Sequence, residues 1–309
     1  MFVHPRGKRV AALATVIGAV GLVAAGVAYS QLTQIAVLTG PSNQWYVTAE
    51  GNTLAWSRYG PTNHLFNAFA RIGTGPVVRV NPAGTQAYVG GLTGDRLIYQ
   101  QIRYGQSDLR FYNVVSHTYG VVPAGWNTSL TEYAPTISRH YVLFGRFNER
   151  TGEHWVFLGD LTTGHLKLLA SLTGTLVDEV PGQVNGNYAT WTSCVNVNVE
   201  CDVYEYNIAT GKATRVSNTF ATGKFQYASS VTSTGTIYLV HSASFTRPCG
   251  EHATINRRAL GAARTVIVSL AHGLDVGVSF ADDSNGTPNV YYSRLVCAAG
   301  QADIYKVVD

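Results

Sequence analysis

Short apolar segments alternating with polar residues recur along the chain, and a tight polar turn lies within each repeat. The turns begin at intervals of 43 to 51 residues. Six of them occur, at residues 50–52, 93–95, 138–140, 185–187, 233–235 and 284–286. Each precedes a stretch such as Arg96-Leu-Ile-Tyr-Gln, whose β-branched and aromatic residues favour pleated strands. No 3.6-residue periodicity is sustained beyond the first thirty residues, so the pattern predicts an all-β protein.

Most repeats contain two further strands after the turn and its strand, as in Asp202-Val-Tyr-Glu-Tyr-Asn-Ile followed by the turn Thr210-Gly211-Lys212. Four strands in about 45 residues, repeated six times, predict a six-bladed β-propeller of four-stranded antiparallel blades. The last repeat supplies only three strands before Asp309. We therefore predict that residues 34–39 form an N-terminal strand that closes the ring as the outer strand of the last blade.

The first thirty residues differ from the rest of the chain. Arg6, Lys8 and Arg9 precede an uncharged apolar run over residues 10–30. A basic flank before an apolar run is typical of a secretory signal, and a run of this length also suffices for a membrane-spanning helix. We predict an export segment or membrane anchor over residues 1–30 and a propeller over residues 31–309. Cleavage after Ala28 or Ser30 and attachment through residues 10–30 stay open, and both place the propeller outside the cytoplasm.

Charge and cysteine content narrow the setting further. Removing the three N-terminal cations from a formal net charge of +4 leaves +1, so we expect no nucleic-acid partner. Four cysteines fit an oxidising compartment. Cys194 and Cys201 flank one predicted hairpin of the fourth blade, while Cys249 and Cys297 lie in corresponding loops of the next two blades. We predict a disulfide in each pair, with free buried thiols as the alternative.

Two segments carry a family resemblance. Cys201-Asp-Val-Tyr-Glu-Tyr-Asn-Ile-Ala-Thr-Gly-Lys and Ala302-Asp-Ile-Tyr-Lys-Val-Val-Asp resemble the Asp-Ile-Tyr…Asp-x-x-Thr-Gly pattern of TolB-like propellers. The resemblance covers residues 32–309 and implies a propeller fold, an extracytoplasmic location and a protein-binding role. The chain departs from the family in two ways: the usual Ser-Pro-Asp-Gly turn is eroded in every repeat, and we expect no α/β domain before the propeller.

Residues that could carry chemistry are few. The sequence has no Gly-x-Ser-x-Gly elbow, no His-Glu-x-x-His pair and no phosphate-binding glycine loop. Three acids at the starts of predicted inner strands are candidates for a glycosidase-type pair: Glu132, Glu179 and Asp275. Asp282, Asp283 and Asn285 are spaced loosely like a calcium loop, but they coincide with a repeated turn, so an Asx-rich turn is the competing interpretation. No cofactor is predicted.

Aromatic and amide side chains cluster at the starts of the same inner strands: Gln44, Trp45, Gln86, Tyr133, Gln226 and Tyr227. Loops at this face of a propeller converge on its channel and commonly form the binding surface, although packing of the inner strands explains Trp45 and Tyr227 equally well. The sequence predicts an exported, non-catalytic propeller that binds a protein, a peptide or a cell-envelope component such as a glycan. The alternative is a secreted hydrolase or lyase that acts on glycans or lactones with channel acids.

Overall fold

The computed structural model describes residues 28–29, 32–40, 42–62, 64–197, 200–216, 225–242, 253–259, 265–271, 273–296 and 298–309. Most of the predicted export segment, as well as Cys249 and Cys297, lies outside these residues. Within the described ranges, no helix is long and apolar enough to cross a membrane. The described residues form strands in six separate sheets.

The first three blades are four-stranded antiparallel sheets whose strands follow chain order from the channel outwards. Blade one contains β3 (Gln44–Glu50), β4 (Thr53–Tyr59), β5 (Phe66–Ile72) and β6 (Val78–Arg79). Blade two contains β7 (Gln86–Thr93), β8 (Arg96–Arg103), β9 (Gln106–Asn113) and β10 (Tyr119–Val121). Blade three contains β11 (Thr131–Ser138), β12 (Tyr141–Asn148), β13 (Glu153–Asp160) and β14 (Leu166–Thr173).

The last three blades follow the same plan, with strands from the N-terminal part added to two of them. Blade four contains β15 (Asp178–Asn185), β16 (Tyr188–Asn196), β17 (Glu200–Asn207) and β18 (Lys212–Arg215). Blade five contains β19 (Phe225–Val231), β20 (Ile237–Ser242), β21 (Thr254–Arg258) and β22 (Thr265–Ser269), with β1 (Ala28–Tyr29) beside it. Blade six contains β23 (Leu274–Asp282), β24 (Asn289–Val296), β25 (Gln301–Val308) and β2 (Ile35–Leu38).

The hydrophobic core lies between the blades rather than within any one of them. Buried apolar residues form six clusters that each join two neighbouring blades. One cluster packs Ala55 and Ala68 of blade one against Leu97 and Tyr99 of blade two, and all four side chains are fully buried. A single blade leaves both faces of its sheet uncovered, and ring closure covers them. This explains why the second strand of each blade reads as a nearly continuous apolar run.

The N-terminal strand closes the ring as predicted. Strand β2 pairs antiparallel with β25, with Ile35 opposite Lys306. The Tyr292 hydroxyl also donates to Oε1 of Gln34 at 2.6 Å. Strand β1 pairs parallel with β22, and the Leu32 amide donates to the Ile267 carbonyl at 2.9 Å. Strands β1 and β2 thus lie at the outer edges of blade five and blade six, respectively.

One of the two predicted disulfides lies within the described residues. Cys194 and Cys201 are bonded to each other across the β16–β17 hairpin, and both are fully buried. They pack against Phe225 at the start of blade five. The bond therefore fixes the hairpin at the interface between two blades.

Candidate functional site

A cavity of about 490 Å³ lies on the channel axis at the end where the inner strands start. Strands β3, β7, β11, β15, β19 and β23 all contribute to its wall. The side chains that dominate the lining are aromatic or polar: Tyr46, Tyr88, Gln100, Tyr133, Asp178, Thr192, Tyr227, Ser279 and Phe280. A concave, mainly apolar pocket with a few convergent polar groups has the usual character of a ligand-binding site.

The inner strands owe their shape to a bulge that recurs in all six blades. In each, three residues of the inner strand span the distance that two residues span on its neighbour, as between Trp45 and Thr48 opposite Ser57 and Ala55. The same shift follows Val89, Tyr133, Pro181, Tyr227 and Val276. An extra residue bends a strand and re-aims its side chains, and here it does so beside the cavity.

Two forms of this bulge alternate around the ring. In blades one, three and five, the residue after the shift is Tyr46, Ala134 or Ala228, each with a positive φ of 46° to 49°. This left-handed backbone leaves two consecutive residues half-buried on the channel side, such as Trp45 and Tyr46. In blades two, four and six, the corresponding residue is a glycine without positive φ. The strand then keeps regular alternation in blades two and four.

The three glycines of the even blades are required by close packing. A Cβ at Gly90 would lie 1.9 Å from the Pro135 carbonyl oxygen, and one at Gly277 would lie 2.1 Å from a ring carbon of Trp45. At Gly182 it would lie 2.4 Å from the Ser229 hydroxyl. Even blades therefore admit the bulkier residues of the odd blades next to them.

Gln183 lines a recess at the other mouth of the channel, among the turns that follow the inner strands. Its side chain extends from blade four to blade six, where Nε2 donates to the Ala281 carbonyl at 2.7 Å and Oε1 accepts from the Ala281 amide at 2.9 Å. Oε1 also accepts from the Val231 amide of blade five at 3.3 Å. One buried amide thus joins blades four, five and six.

At the opposite mouth, the inner hairpin turns are linked by side chains that accept backbone N–H groups of a neighbouring blade. In four cases, the acceptor side chain lies on the preceding blade. The amide of Gly51 donates to Ser284, that of Gly94 to Glu50, that of Arg139 to Thr93 and that of Gly186 to Ser138. In the fifth case Asp283 of blade six accepts from the amide and hydroxyl of Ser233 and from the Asn185 amide group. These turns lack the Ser-Pro-Asp-Gly sequence that is usual in the family. Hydrogen bonds between side chains of one blade and backbone groups of another connect the turns of neighbouring blades.

The calcium-like spacing falls within this ring of turns. Asp282 accepts from the amide and hydroxyl of Ser284, as an Asx turn does, and Asp283 serves blades four and five. Asn285 is exposed. Across the described ranges, no group of three or more His, Cys, Asp or Glu side chains is arranged to hold a metal ion.

The three acids proposed from the sequence are buried and lie outside the cavity lining. Glu132 accepts from the Thr128 hydroxyl at 2.7 Å and from Nε of Arg146 at 2.8 Å. Burial raises its pKa, while Thr128 and Arg146 act in the opposite direction. This ion pair fixes the loop before β11, because Arg146 also donates to the Trp126 carbonyl.

The other two acids have different partners. Glu179 accepts from the Ser193 hydroxyl at 2.8 Å, and its Oε2 has no hydrogen-bond partner in the described part of the chain. Burial raises the pKa of Glu179 to about 7. Asp275 accepts from the Tyr227 hydroxyl at 3.2 Å and from the Val276 amide at 2.7 Å. The structure places these acids on different strands behind the wall of the cavity.

The predicted binding residues divide into two groups. Tyr133 and Tyr227 line the cavity, whereas Gln44 and Gln226 are buried away from it. Trp45 packs on Gly277. Gln86 is half-buried and donates to the Tyr88 hydroxyl at 2.6 Å, so that it supports a lining residue.

Sequence reasoning missed Tyr46, Tyr88 and Asp178. Tyr46 and Tyr88 contact each other edge to face at 5.0 Å between ring centroids. Asp178 lies next to the candidate Glu179, and its Oδ1 lies 3.1 Å from Nδ1 of His154. Burial raises the pKa of Asp178, and the nearby His154 lowers it. Inward and outward side chains alternate regularly along β15 of blade four, where Asp178 and Val180 are both half-buried. Applying this alternation from Val180 would have identified Asp178 as a residue of the cavity.

The architecture defines a class of protein, the six-bladed β-propellers, and comparison with known proteins places it among them. The sequence matches no protein-family model and no curated protein. TolB from Acinetobacter baumannii is similar in structure, with a TM-score of 0.56 at 15% identity, over 84% of this chain and 64% of that protein. The acylaminoacyl peptidase of Pyrococcus horikoshii gives 0.52 at 8% identity, over 82% and 43%.

An oligogalacturonate lyase in complex with manganese gives a TM-score of 0.52 at 12% identity, over 90% of this chain and 98% of that one. The chain spans less than two thirds of TolB and of the peptidase. At these identities the similarity establishes the fold alone. Because the similar structures include TolB, a peptidase and a lyase, the fold does not choose between binding and catalysis.

Proposed function

We propose that this chain is an exported, non-catalytic β-propeller that binds a protein, peptide or cell-envelope component through the channel cavity. The observation that carries the proposal is the cavity itself, to which all six inner strands contribute and whose wall is rich in aromatic side chains. Aromatic side chains supply large contact areas, and their hydroxyl groups add directional contacts. Such a surface suits a side chain or short segment of a larger partner.

The positions of the acids support binding over catalysis. A glycosidase-type mechanism needs two carboxyl groups that flank the reacting bond. Asp178 is the one carboxyl group in the described lining. Glu132, Glu179 and Asp275 lie behind the wall, where they accept hydrogen bonds from the protein itself.

The buried Cys194–Cys201 disulfide supports an extracytoplasmic location, secreted or attached to the outward face of a membrane. Disulfides persist in oxidising compartments and are rare where thiols are kept reduced. A fully buried disulfide within blade four, packed against blade five, fits a protein that works in such a compartment.

The proposal is tested by selecting peptides from an unbiased displayed library on the folded protein. Selected peptides should lose about fivefold or more in affinity on Tyr88→Ala, since the loss of a stacked aromatic contact is worth about 1 kcal/mol or more. Tyr104→Ala is the matched control, because Tyr104 is 93% exposed on the hairpin between β8 and β9 of the same blade and does not line the cavity. Circular dichroism verifies that both variants fold. Peptides that tolerate both substitutions, or a library that yields no binder, would contradict binding at this cavity.

A further inference from the structure

The charge of the cavity lining is one-sided. Asp178 is its one ionisable carboxyl group, and no Lys, Arg or His is present among the described lining residues. The Asp178 side chain is 30% exposed, so a ligand can reach it. The carboxyl group of Asp275 lies just behind the wall, near the start of β23. A cleft lined by charges of one sign concentrates ligands of the opposite sign.

The aromatic walls favour the same kind of ligand. Tyr46, Tyr88, Tyr133 and Tyr227 come from blades one, two, three and five, and Phe280 comes from blade six. A group held on the axis therefore meets aromatic rings from several directions. The face of an aromatic ring attracts cations, and the attraction increases when water is excluded.

The hydroxyl groups of two lining tyrosines are poorly placed to bind an anion. Tyr133 donates its hydroxyl hydrogen to the Glu179 carbonyl at 2.5 Å. Tyr227 donates its own to Asp275. With those hydrogens engaged, the two oxygens can only accept further hydrogen bonds. At these two hydroxyl groups and at Asp178, an anionic ligand would thus meet acceptor oxygens and a carboxylate, which do not bind anions. A cationic ligand would meet the same groups as hydrogen-bond acceptors and a negative charge, which complement it.

We infer that the cavity receives an organic cation, the guanidinium or ammonium group of an arginine or lysine side chain on a peptide, with Asp178 as its counter-ion. The inference rests on the proposed binding function and specifies the chemistry of the ligand. The ligand would share Asp178 with His154, whose Nδ1 approaches Oδ1 from β13. Gln100 of blade two and Thr192 of blade four add acceptor oxygens to the cavity lining.

The test uses three acetylated and amidated tripeptides, Gly-Arg-Gly, Gly-citrulline-Gly and Gly-Glu-Gly, titrated into the folded protein by NMR. Citrulline has nearly the shape of arginine without its charge. The arginine peptide should bind about tenfold more tightly than the citrulline peptide, because cation–π attraction and the counter-ion together exceed about 1.4 kcal/mol. Asp178→Asn should remove this preference. Asp95→Asn, on an exposed turn of blade two, should preserve it.

A second pair of variants covers the case in which Asp178→Asn unfolds the protein. Val180→Lys places a cation in the cavity and should abolish arginine binding, whereas Val180→Met has a similar length without charge and should retain most of it. Equal binding of all three tripeptides would overturn the cationic ligand and leave binding at the cavity standing. Absence of any binding would overturn the inference too, and the displayed library then decides the proposed function separately.

Discussion

Replacing Glu179 by glutamine should stabilise the protein, and the gain should increase with pH. The side chain is 2% exposed, and its Oε2 has no hydrogen-bond partner in the described part of the chain. Burial raises the pKa of Glu179 to about 7; the Ser193 hydrogen bond opposes this rise, and repulsion from Asp178 adds to it. Glutamine retains the oxygen that accepts from Ser193 and carries no charge at any pH.

The direction of this pH dependence follows from the protons that Glu179 binds in the folded and in the unfolded state. An unfolded glutamate ionises near pH 4.5, so above that pH the folded state holds a proton that the unfolded state has lost. The contribution of Glu179 to stability is therefore retained below pH 4.5 and decreases as the pH rises towards 7. At 1.36 kcal/mol per pKa unit, the cost of the wild-type residue is about 1 kcal/mol at pH 5 and about 3 kcal/mol at pH 8.

Urea unfolding of the wild type and of Glu179→Gln between pH 5 and pH 8 measures this difference directly. Other carboxyl groups that burial affects, apart from the neighbouring Asp178, contribute equally to both proteins, so the difference reports Glu179 together with its repulsion from Asp178. Glu149→Gln, at an exposed position before a turn, is the control and should show no comparable trend. A stability difference between Glu179→Gln and the wild type that stays constant over this pH range would refute the reasoning, because it would mean that Glu179 does not bind its proton on folding.

The remaining predictions concern the channel framework. Gly90→Ala should destabilise the fold by about 3 kcal/mol, because its Cβ would meet the Pro135 carbonyl at 1.9 Å and backbone would have to move. Gly40→Ala, where nothing lies within 4 Å, should be close to neutral in the same thermal unfolding assay, and equal effects would contradict the argument. Asp283→Ala should cost about 2–3 kcal/mol in urea unfolding, because it removes the acceptor for blades four and five. The exposed Asp95→Ala is its control, and a loss no larger than that of the control would show that the turn ring contributes little.

The repeat was legible in the sequence because each blade is one local unit. Its turns and its strands are contiguous, so the six-fold period survives even where the turn sequence is eroded. Ring closure by residues 34–39 was also predictable, since the last repeat lacked one strand. Strand β1 was not, because Ala28 and Tyr29 belong to an apolar run and pair through their backbone. Their residue types are those of the export segment, so the sequence does not show that these two residues form a strand.

The cavity was only partly predictable, and the bulge explains why. Period-two alternation assigns one side chain in two to the channel. In the odd blades, the residue with left-handed backbone interrupts this alternation and leaves two consecutive side chains half-buried. As a result, Tyr46 lines the cavity and Gln44 is buried. The sequence offers Tyr, Ala and Ala at the left-handed positions, which have no common preference for positive φ. Their conformation is imposed by packing against the glycines of neighbouring blades.

The alternating bulges also separate the cavity from the framework that supports it. Within the described residues, the apolar clusters between blades contain none of the side chains at the left-handed positions, although Tyr46 packs at the edge of one cluster and Ala228 at the edge of another. Ala134 and Ala228 face the axis, with small side chains at positions where blade one carries a tyrosine. A substitution at Ala134 would therefore reshape the cavity while leaving the blade interfaces intact, whereas one at Ala228 would also reach the edge of the interface between blades five and six. A propeller built in this way can vary the shape of its cavity through single residues of its odd blades.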